Sequence, residues 1–304
     1  MKFIPAVSLL FCSALLSLSG RTYHRKIAVM NDGEYVLRSG KLTMEVNPLA
    51  GARIVSLKFE GYEFLTGRDI MEGNYGSTFW PSPQSSWGWP PPPVLDSDPY
   101  TASAGGDTAT FVSWKDSGTG LQVVKKFFPA EMGRMNLSYT MLNVTDSVLN
   151  VAPWEITRVH IGGLLFFPIG INPLGRKSFD PAPVKVVDGV AWYRDPMKRP
   201  EKNLLTTADV TEGWVAYAIH GKIFVKKFHN VPMDSVAPGE GEIAVYVSKE
   251  ADYLELEIQG EYQPIDPGAR TAWKVQWIAR NIPKNISVHA GSGDLVKYVR
   301  KLVR

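Results

Sequence analysis

Alternation of apolar and polar residues predicts β-strands along most of the chain beyond residue 33. In the predicted strand 135–143, every second side chain from 135 to 141 is apolar and the intervening ones are polar, which is typical of a strand with one buried face. The same kind of pattern predicts further strands in the segments 35–46, 52–65, 108–114, 121–128, 213–220, 222–228, 242–248, 253–259 and 271–279.

Turn residues separate these strands, and helical periodicity is confined to the end of the chain. Residues 115–120 place glycines where a hairpin needs positive φ. No glycine-rich nucleotide loop interrupts the strands, so the sequence predicts an all-β protein, a large antiparallel sandwich or barrel. A short C-terminal helix is expected after Asp294 as N-cap, with its apolar stripe packed on a sheet. That stripe consists of Leu295, Tyr298, Val299 and Leu302.

The first twenty residues have the layout of a secretory signal peptide. Lys2 precedes the apolar run 3–18, and small residues follow near Ser19 and Gly20. The run is too short and too rich in serine for a membrane span. We therefore expect cleavage near Ser19 or Gly20, no membrane span afterwards, and one domain over residues 21–304.

The single cysteine points to an exported protein without disulfides. Cys12 lies inside the leader, so the mature chain has no cysteine. Phe11 is bulky where a lipoprotein cleavage site needs a small residue, so we expect no lipid anchor. These features favour the bacterial periplasm or the cell surface.

Charge and histidine spacing exclude several functional classes. The net charge is +3 with acidic and basic residues interspersed, which does not indicate nucleic-acid binding. His220, His229 and His289 have no acidic or histidine neighbours at metal-ligand spacing. We expect no metal and no cofactor, and we expect a monomer.

Three segments, in this order and spacing, resemble the galactose mutarotase-like (aldose 1-epimerase-like) superfamily. They are 42–65, 142–159 and 254–277, which read LTMEVNPLAGARIVSLKFEGYEFL, LNVTDSVLNVAPWEITRV and LELEIQGEYQPIDPGARTAWKVQW. The chain is most similar to a secreted bacterial branch rich in tryptophan and proline. The resemblance implies a large β-supersandwich and a carbohydrate ligand.

The resemblance also implies that a glutamate acts as the general base of sugar-ring opening. Mutarotases open a sugar ring with a glutamate base and a histidine acid, which must flank one ring. Glu257 falls at the position of that base. By alternation it shares a strand face with Tyr253, Glu255 and Gln259, and we place Gln259 among the sugar-binding residues. This face can equally be the solvated side of an amphipathic strand.

The acid of the family is missing from its expected position. Residues 152–158 read APWEITR, and His160 is the nearest substitute, sharing a strand face with Trp154 and Arg158. A hydrogen-bonded histidine at a strand end is the alternative.

Glu155 is a second candidate acid. Paired with Glu257 it would give glycosidase-type chemistry, while Arg158 would bind a carboxylate or sugar hydroxyls. The alternative is that Glu155 and Arg158 form ion pairs inside the sandwich.

Residues 76–93, GSTFWPSPQSSWGWPPPP, form a tryptophan- and proline-rich segment. Prolines hold such a loop extended, and an indole face can stack on a pyranose. We expect Trp80 to be nearest the sugar, with Gln84, Trp87, Trp89 and Trp154 as further candidate contacts, and we expect at least one of Trp87 and Trp89 to be structural. The alternative is that these indoles close one end of the sandwich as core.

Carbohydrate binding is the function that these features share. The first hypothesis is a secreted enzyme with aldose 1-epimerase-like activity that uses Glu257 as base. The alternatives are a non-catalytic glycan-binding module and a structural cell-envelope protein.

Overall fold

The structure, a computed structural model, describes residues 25–30, 33–169 and 180–304. The predicted signal peptide lies outside these residues. The described part of the chain forms two large antiparallel sheets packed as a sandwich, as the alternation predicts. Among the described helices, none has the length and apolar character needed to cross a bilayer.

The first sheet has eleven strands. In spatial order its main path is β1 (Arg25–Val29), β2 (Tyr35–Ser39), β3 (Leu42–Asn47), β4 (Arg53–Phe59), β6 (Ser77–Ser82), β11 (Leu149–His160), β19 (Tyr253–Gln259), β18 (Ile243–Val247) and β15 (Leu204–Ala208). Two short strands extend it, because β5 (Tyr62–Glu63) pairs with β4 and β20 (Gln263–Ile265) pairs with β11.

The second sheet has ten strands and packs against the first. Its order is β13 (Lys185–Val187), β14 (Val190–Arg194), β12 (Leu164–Pro168), β16 (Trp214–Ile219), β17 (Lys222–Phe228), β21 (Arg270–Asn281), β10 (Arg134–Asn143), β9 (Leu121–Ala130), β8 (Thr108–Val112) and β7 (Thr101–Gly105). Two α-helices, α1 (Pro93–Asp96) and α2 (Gly293–Leu302), and two short 3-10 helices, Gln84–Ser86 and Met233–Ser235, complete the described structure.

Most predicted strands are confirmed, two of them with the expected bounds, β17 and β19. The predicted stretch 35–46 is instead the hairpin β2–β3, because Gly40 takes φ +58° between them. The predicted N-cap Asp294 is also wrong. The Oγ of Ser292 accepts the amide of Leu295, and Asp294 lies in the first turn of α2.

Apolar side chains form three clusters. The largest fills the space between the sheets. A second lies on the outer side of the second sheet, where α2 buries Leu295, Val296 and Val299, so its apolar stripe does pack on a sheet. The third is small and contains Trp80, Trp154 and Ile156, on the opposite side of the first sheet from the main core. It marks the candidate site.

Candidate functional site

Three adjacent strands bring the predicted sugar-site residues together. Trp154 of the central strand β11 stands between Trp80 of β6 and Gln259 of β19. Two residues further along β11, Ile156 stands opposite Glu257 of β19. Directly opposed residues in antiparallel strands share a face. This face points away from the second sheet, because Leu254, Leu256 and Ile258 of β19 enter the core. We call it the outer face of the first sheet.

Four tryptophans form one cluster on this face. The ring of Trp80 packs edge-on against Trp154, Trp87 and Trp89, at centroid distances of 5.3, 5.8 and 6.0 Å. Trp80 is only 4% exposed, whereas Trp89 is 61% exposed. The sequence predicts Trp80 as the indole nearest the sugar, whereas in the structure Trp89 is exposed to solvent and Trp80 is buried.

Hydrogen bonds fix three of these indoles. The Nε1–H of Trp80 donates to Oδ1 of Asp96 at 2.7 Å, and that of Trp87 donates to the Pro81 carbonyl at 2.8 Å. The Nε1–H of Trp154 donates to Oε2 of Glu257 at 3.0 Å. The cluster consequently presents ring faces to its surroundings, since these three N–H groups bond within the protein.

A polar chain runs beside the cluster from the sheet to the loop. The amide oxygen of Gln259 accepts the hydroxyl of Ser82 at 2.7 Å, and its nitrogen is 3.5 Å from a carboxylate oxygen of Glu240. The other oxygen of Glu240 accepts the backbone amide of Gln84 at 3.3 Å. Glu240 and Gln84 are half-buried, so the polar groups that reach the surface beside the tryptophans belong to them.

Glu257 and Gln259 themselves are buried, as is Glu255. This face of β19 is therefore not the solvated side of an amphipathic strand. Burial raises the pKa of Glu255, and the neighbouring Arg158 guanidinium opposes that rise. A carboxyl group with a raised pKa holds its proton at higher pH than an exposed glutamate does.

Two buried arginines lie near Trp80, Arg158 beside its ring and Arg53 on the carboxylate of Asp96, which also accepts the Trp80 indole N–H. Arg158 donates from Nε to Glu255 at 2.8 Å and from Nη1 to the Thr78 hydroxyl at 3.3 Å, and its guanidinium lies 5.6 Å from the Trp80 ring centre. Arg53 donates to Asp96 at 3.1 Å. Within the described residues, Nη2 of Arg158 and Nε of Arg53 have no hydrogen-bond partner. Each of these donors can bind an oxygen atom.

The Arg53–Asp96 pair was missed by the sequence analysis. Asp96 ends the short helix α1, and the turn after β3 holds that helix in place. Gly51 lies so close to α1 that an added Cβ would be 1.9 Å from the Asp96 carbonyl oxygen, and its φ is +71°. The signal that could have found the pair is the charged Arg53 directly before the apolar residues Ile54 and Val55 of β4.

Glu155 lies on the other side of β11 and is fully buried between the sheets. It forms an ion pair of 2.8 Å with Lys226 and accepts hydrogen bonds from the Tyr139 hydroxyl and from Nε1 of Trp277. Because Ile156, not Glu155, stands opposite Glu257, the expected pairing of Glu155 with Glu257 is wrong: the two point to opposite sides of the sheet. Glu155 and Arg158 each form an ion pair, as in the alternative interpretation, but only Glu155 does so inside the sandwich.

His160 shares the outer face but lies at its far end. It pairs with Tyr253, four residues along β19 from Glu257, which corresponds to about 13 Å at the usual strand rise. Its ring is half-buried and its carbonyl accepts the Tyr217 hydroxyl. His160 and Glu257 are thus too far apart to flank one sugar ring.

The described residues contain no cluster of three or more histidine, cysteine, aspartate or glutamate side chains suited to hold a metal ion.

Comparison with known proteins identifies a family and a fold. Residues 82–280 match the model of a domain of unknown function, DUF4380. A search of curated proteins finds no match.

Solved structures are similar in fold at low identity. A galactose mutarotase-like protein from Lactobacillus casei ATCC 334 is 13% identical, with TM-score 0.55, covering 82% of this chain and 100% of its own. One from Clostridium acetobutylicum is 9% identical, with TM-score 0.56, covering 86% and 99%. An aldose epimerase homologue from C. elegans is 10% identical, with TM-score 0.56, covering 83% and 99%.

Proposed function

Because the chain belongs to the DUF4380 family and has the galactose mutarotase-like fold, we propose that it binds a carbohydrate at the tryptophan cluster on the outer face of the first sheet. Trp89 and the half-buried Trp87 form the contact surface. Trp80 and Trp154 hold that surface from below.

The observation that carries this proposal is the exposed indole of Trp89. This indole is 61% exposed and packs on the buried Trp80, so it extends the tryptophan cluster to the surface. A contiguous apolar patch at the surface indicates a ligand or partner site, whereas a single exposed apolar side chain does not. The polyproline run after it restricts the loop backbone. A preorganised aromatic surface loses little entropy when a ligand binds.

Polar groups beside the indoles suit sugar hydroxyls. Gln84 and Glu240 are half-buried at the rim, and they connect through Gln259 to the buried residues of β19. An amide and a carboxylate can donate to and accept from neighbouring hydroxyls of one sugar. The ligand class that fits a flat apolar surface with such groups at its edge is a neutral saccharide.

The geometry supports binding better than aldose ring opening. Ring opening needs an acid and a base on the two sides of one ring, whereas Glu257 is 4% exposed and is bonded to Trp154. Glu155 is on the other side of the sheet, and His160 is at the far end of the face. Epimerase activity would therefore need groups beyond those that the sequence analysis named.

Export is part of the proposal and rests on the sequence of residues 1–20. A basic start, an apolar run and a small-residue cleavage region support secretion to the periplasm or the cell surface. Amino-terminal sequencing of protein isolated from a cell that expresses the full chain tests this. A mature protein that still begins at Met1 would contradict it.

The binding proposal is tested by calorimetric titration of the protein with a panel of neutral oligosaccharides. We expect at least one to bind and Trp89→Ala to weaken that binding about tenfold. Trp114→Ala is the matched control, because Trp114 is equally exposed, at 69%, but belongs to the hairpin after β8 in the second sheet. If folded wild-type protein binds no saccharide, or both variants bind like wild type, the proposal is wrong.

A further inference from the structure

The outer side of the second sheet is divided into two halves. Helix α2 covers the half that carries Phe166, Trp214, Val225 and Ile278. No described helix covers the other half, which consists of the outward side chains of β7, β8, β9, β10 and β21, together with Lys227 of β17. We call this half the open face. Its outward positions are half-buried or exposed, while the alternate residues of the same strands form the core.

The open face is basic and contains no acidic residue. Its cations are Lys126, Arg134, Lys227, Arg270 and Lys274, and none of the strands β7 to β10, β17 and β21 contains an aspartate or a glutamate. Within the described residues, none of the five cations forms an ion pair with a carboxylate.

Acidic residues occur only in the segments at the ends of these strands: Asp98, Asp107, Asp116, Glu131, Asp146 and Asp266. The carboxylate of Asp116 accepts the amide and hydroxyl of Thr119 in its own hairpin. The outward strand positions therefore carry five positive charges and no negative charge, and the carboxylates lie at the margin of the face. A partner that lies across the strands meets the positive charges.

Strand pairing sets the spacing of the charges. Lys126 and Lys274 both stand opposite Ser138, one on each side, so their backbones are about 10 Å apart across the sheet. Lys227 stands opposite Gln276 and is diagonal to Lys274, at roughly 7–8 Å. The cations thus form a broad array rather than one compact anion pocket.

Hydrogen-bonding side chains alternate with the cations. Arg134 donates to the amide oxygen of Gln276 at 2.8 Å, and the nitrogen of Gln276 donates to Asn136 at 2.7 Å. Hydroxyl groups occupy neighbouring outward positions of β8 and β10. These hydroxyls belong to Thr110, Ser138 and Thr140.

We propose that the open face binds a linear polysaccharide that carries carboxylate groups. The array of cations complements its charges, and the amide and hydroxyl side chains between them complement its hydroxyls. An anionic membrane fits less well, because the outward apolar residues Val124, Phe128 and Leu142 are half-buried and do not project. Single-stranded nucleic acid fits less well, because Phe128 is the only aromatic residue among the outward strand positions.

This surface is separate from the tryptophan cluster, since the two lie on different sheets. The inference therefore goes beyond the proposed function, and either can fail without the other. Trp89→Ala should leave binding at the open face unchanged.

The test measures affinity of the full chain for polygalacturonate at 50 and 200 mM salt, with a neutral polysaccharide as reference. We expect wild type to bind polygalacturonate more weakly at 200 mM salt, and Lys126→Glu/Lys274→Glu to lower the affinity at 50 mM roughly tenfold or more. Losing two contacts should also reduce the slope of log affinity against log salt concentration by about 2. Lys185→Glu/Lys249→Glu is the matched control, because both lysines are exposed, lie off the open face and change the net charge equally.

Three results would overturn the proposal. The first is no binding of wild type to polygalacturonate at 50 mM salt. The second is equal loss of affinity in the control variant, which would indicate a response to net charge alone. The third is tighter binding, at equal salt, to phosphatidylserine vesicles or to a DNA oligonucleotide, which would make the partner a membrane or a nucleic acid instead.

Discussion

Replacing Glu155 by glutamine should make the stability of this protein depend steeply on pH. Glu155 and Lys226 are both fully buried and form a 2.8 Å ion pair between the two sheets. The Nζ of Lys226 also donates to the Thr157 hydroxyl at 2.8 Å and to the Leu256 carbonyl at 3.0 Å. In the variant these two bonds remain, but the charge that balances the ammonium is gone.

The loss of stability in Glu155→Gln has an upper limit, because Lys226 can release its proton. Burial already lowers the pKa of Lys226, and Glu155 opposes that effect. Without Glu155, the protein can fold with Lys226 as the neutral amine. Removing the proton from a lysine whose ordinary pKa is near 10.4 costs at most about 5 kcal/mol at pH 7. Removing one partner of a buried ion pair costs about 3–5 kcal/mol, so we expect a loss of stability in that range.

The sign of the pH dependence follows from proton counting. In the variant, the folded state has a lysine of depressed pKa, so the unfolded state binds more protons. Stability then rises with pH, by up to about 1.4 kcal/mol per unit, between the folded pKa of Lys226 and about 10.4. Urea unfolding followed by tryptophan fluorescence from pH 6 to 9 measures this slope.

Two further variants isolate the pair. Glu155→Gln/Lys226→Met removes both charges, so its stability should not show the additional rise with pH that Glu155→Gln shows. Lys227→Met, one residue along and on the other side of β17, is the matched control and should behave like wild type. The reasoning is refuted if Glu155→Gln is destabilised by less than about 1 kcal/mol at pH 7, or if its stability changes with pH no more than that of wild type.

Three further outcomes are expected. Trp89→Ala should weaken saccharide binding by about 1–2 kcal/mol in calorimetry, from the loss of an apolar surface, while leaving the thermal midpoint nearly unchanged; a large drop in midpoint would mean that the indole is structural. Gly51→Ala should lower the free energy of unfolding by about 3 kcal/mol or more, because its Cβ would meet the Asp96 carbonyl at positive φ. Gly40→Ala, with φ +58° but nothing within 4 Å, is its control and should cost only about 1 kcal/mol. Burial raises the pKa of Glu242 to about 8, so its folded form holds a proton that the unfolded form releases, and wild-type stability should fall as pH rises from 4.5 to 8. Urea unfolding at pH 5 and 8 should show a smaller fall for Glu242→Gln, and equal falls would contradict the assignment.

The strands could be predicted from the sequence, but the orientation of β11 could not. On that strand, Trp154 and Ile156 point outward, while Glu155 and Thr157 point toward the second sheet. Over residues 154–157 the apolar pair is therefore outside and the polar pair inside, the opposite of the usual pattern, although Val151 and Val159 of the same strand lie in the main core. The inward carboxylate is stabilised by Lys226, Tyr139 and Trp277, which are distant in sequence.

The candidate site was predicted in part. Alternation placed Glu257 and Gln259 on one face, and the structure agrees because β19 is a regular strand. The exposure of each tryptophan was not predictable, since it depends on Asp96, which holds the Trp80 indole from a helix 16 residues further along. Local patterns carry no information on such a contact.

The position of β21 has a consequence for the order of assembly. This strand is among the last in the chain, yet it lies in the interior of the second sheet, between β17 and β10. During synthesis, β7 to β10 therefore emerge as one group of second-sheet strands and β12, β13, β14, β16 and β17 as another, and the two groups stay unjoined until residues 270–281 leave the ribosome. The second sheet, and with it the core between the two sheets, is completed only when this late strand has been made.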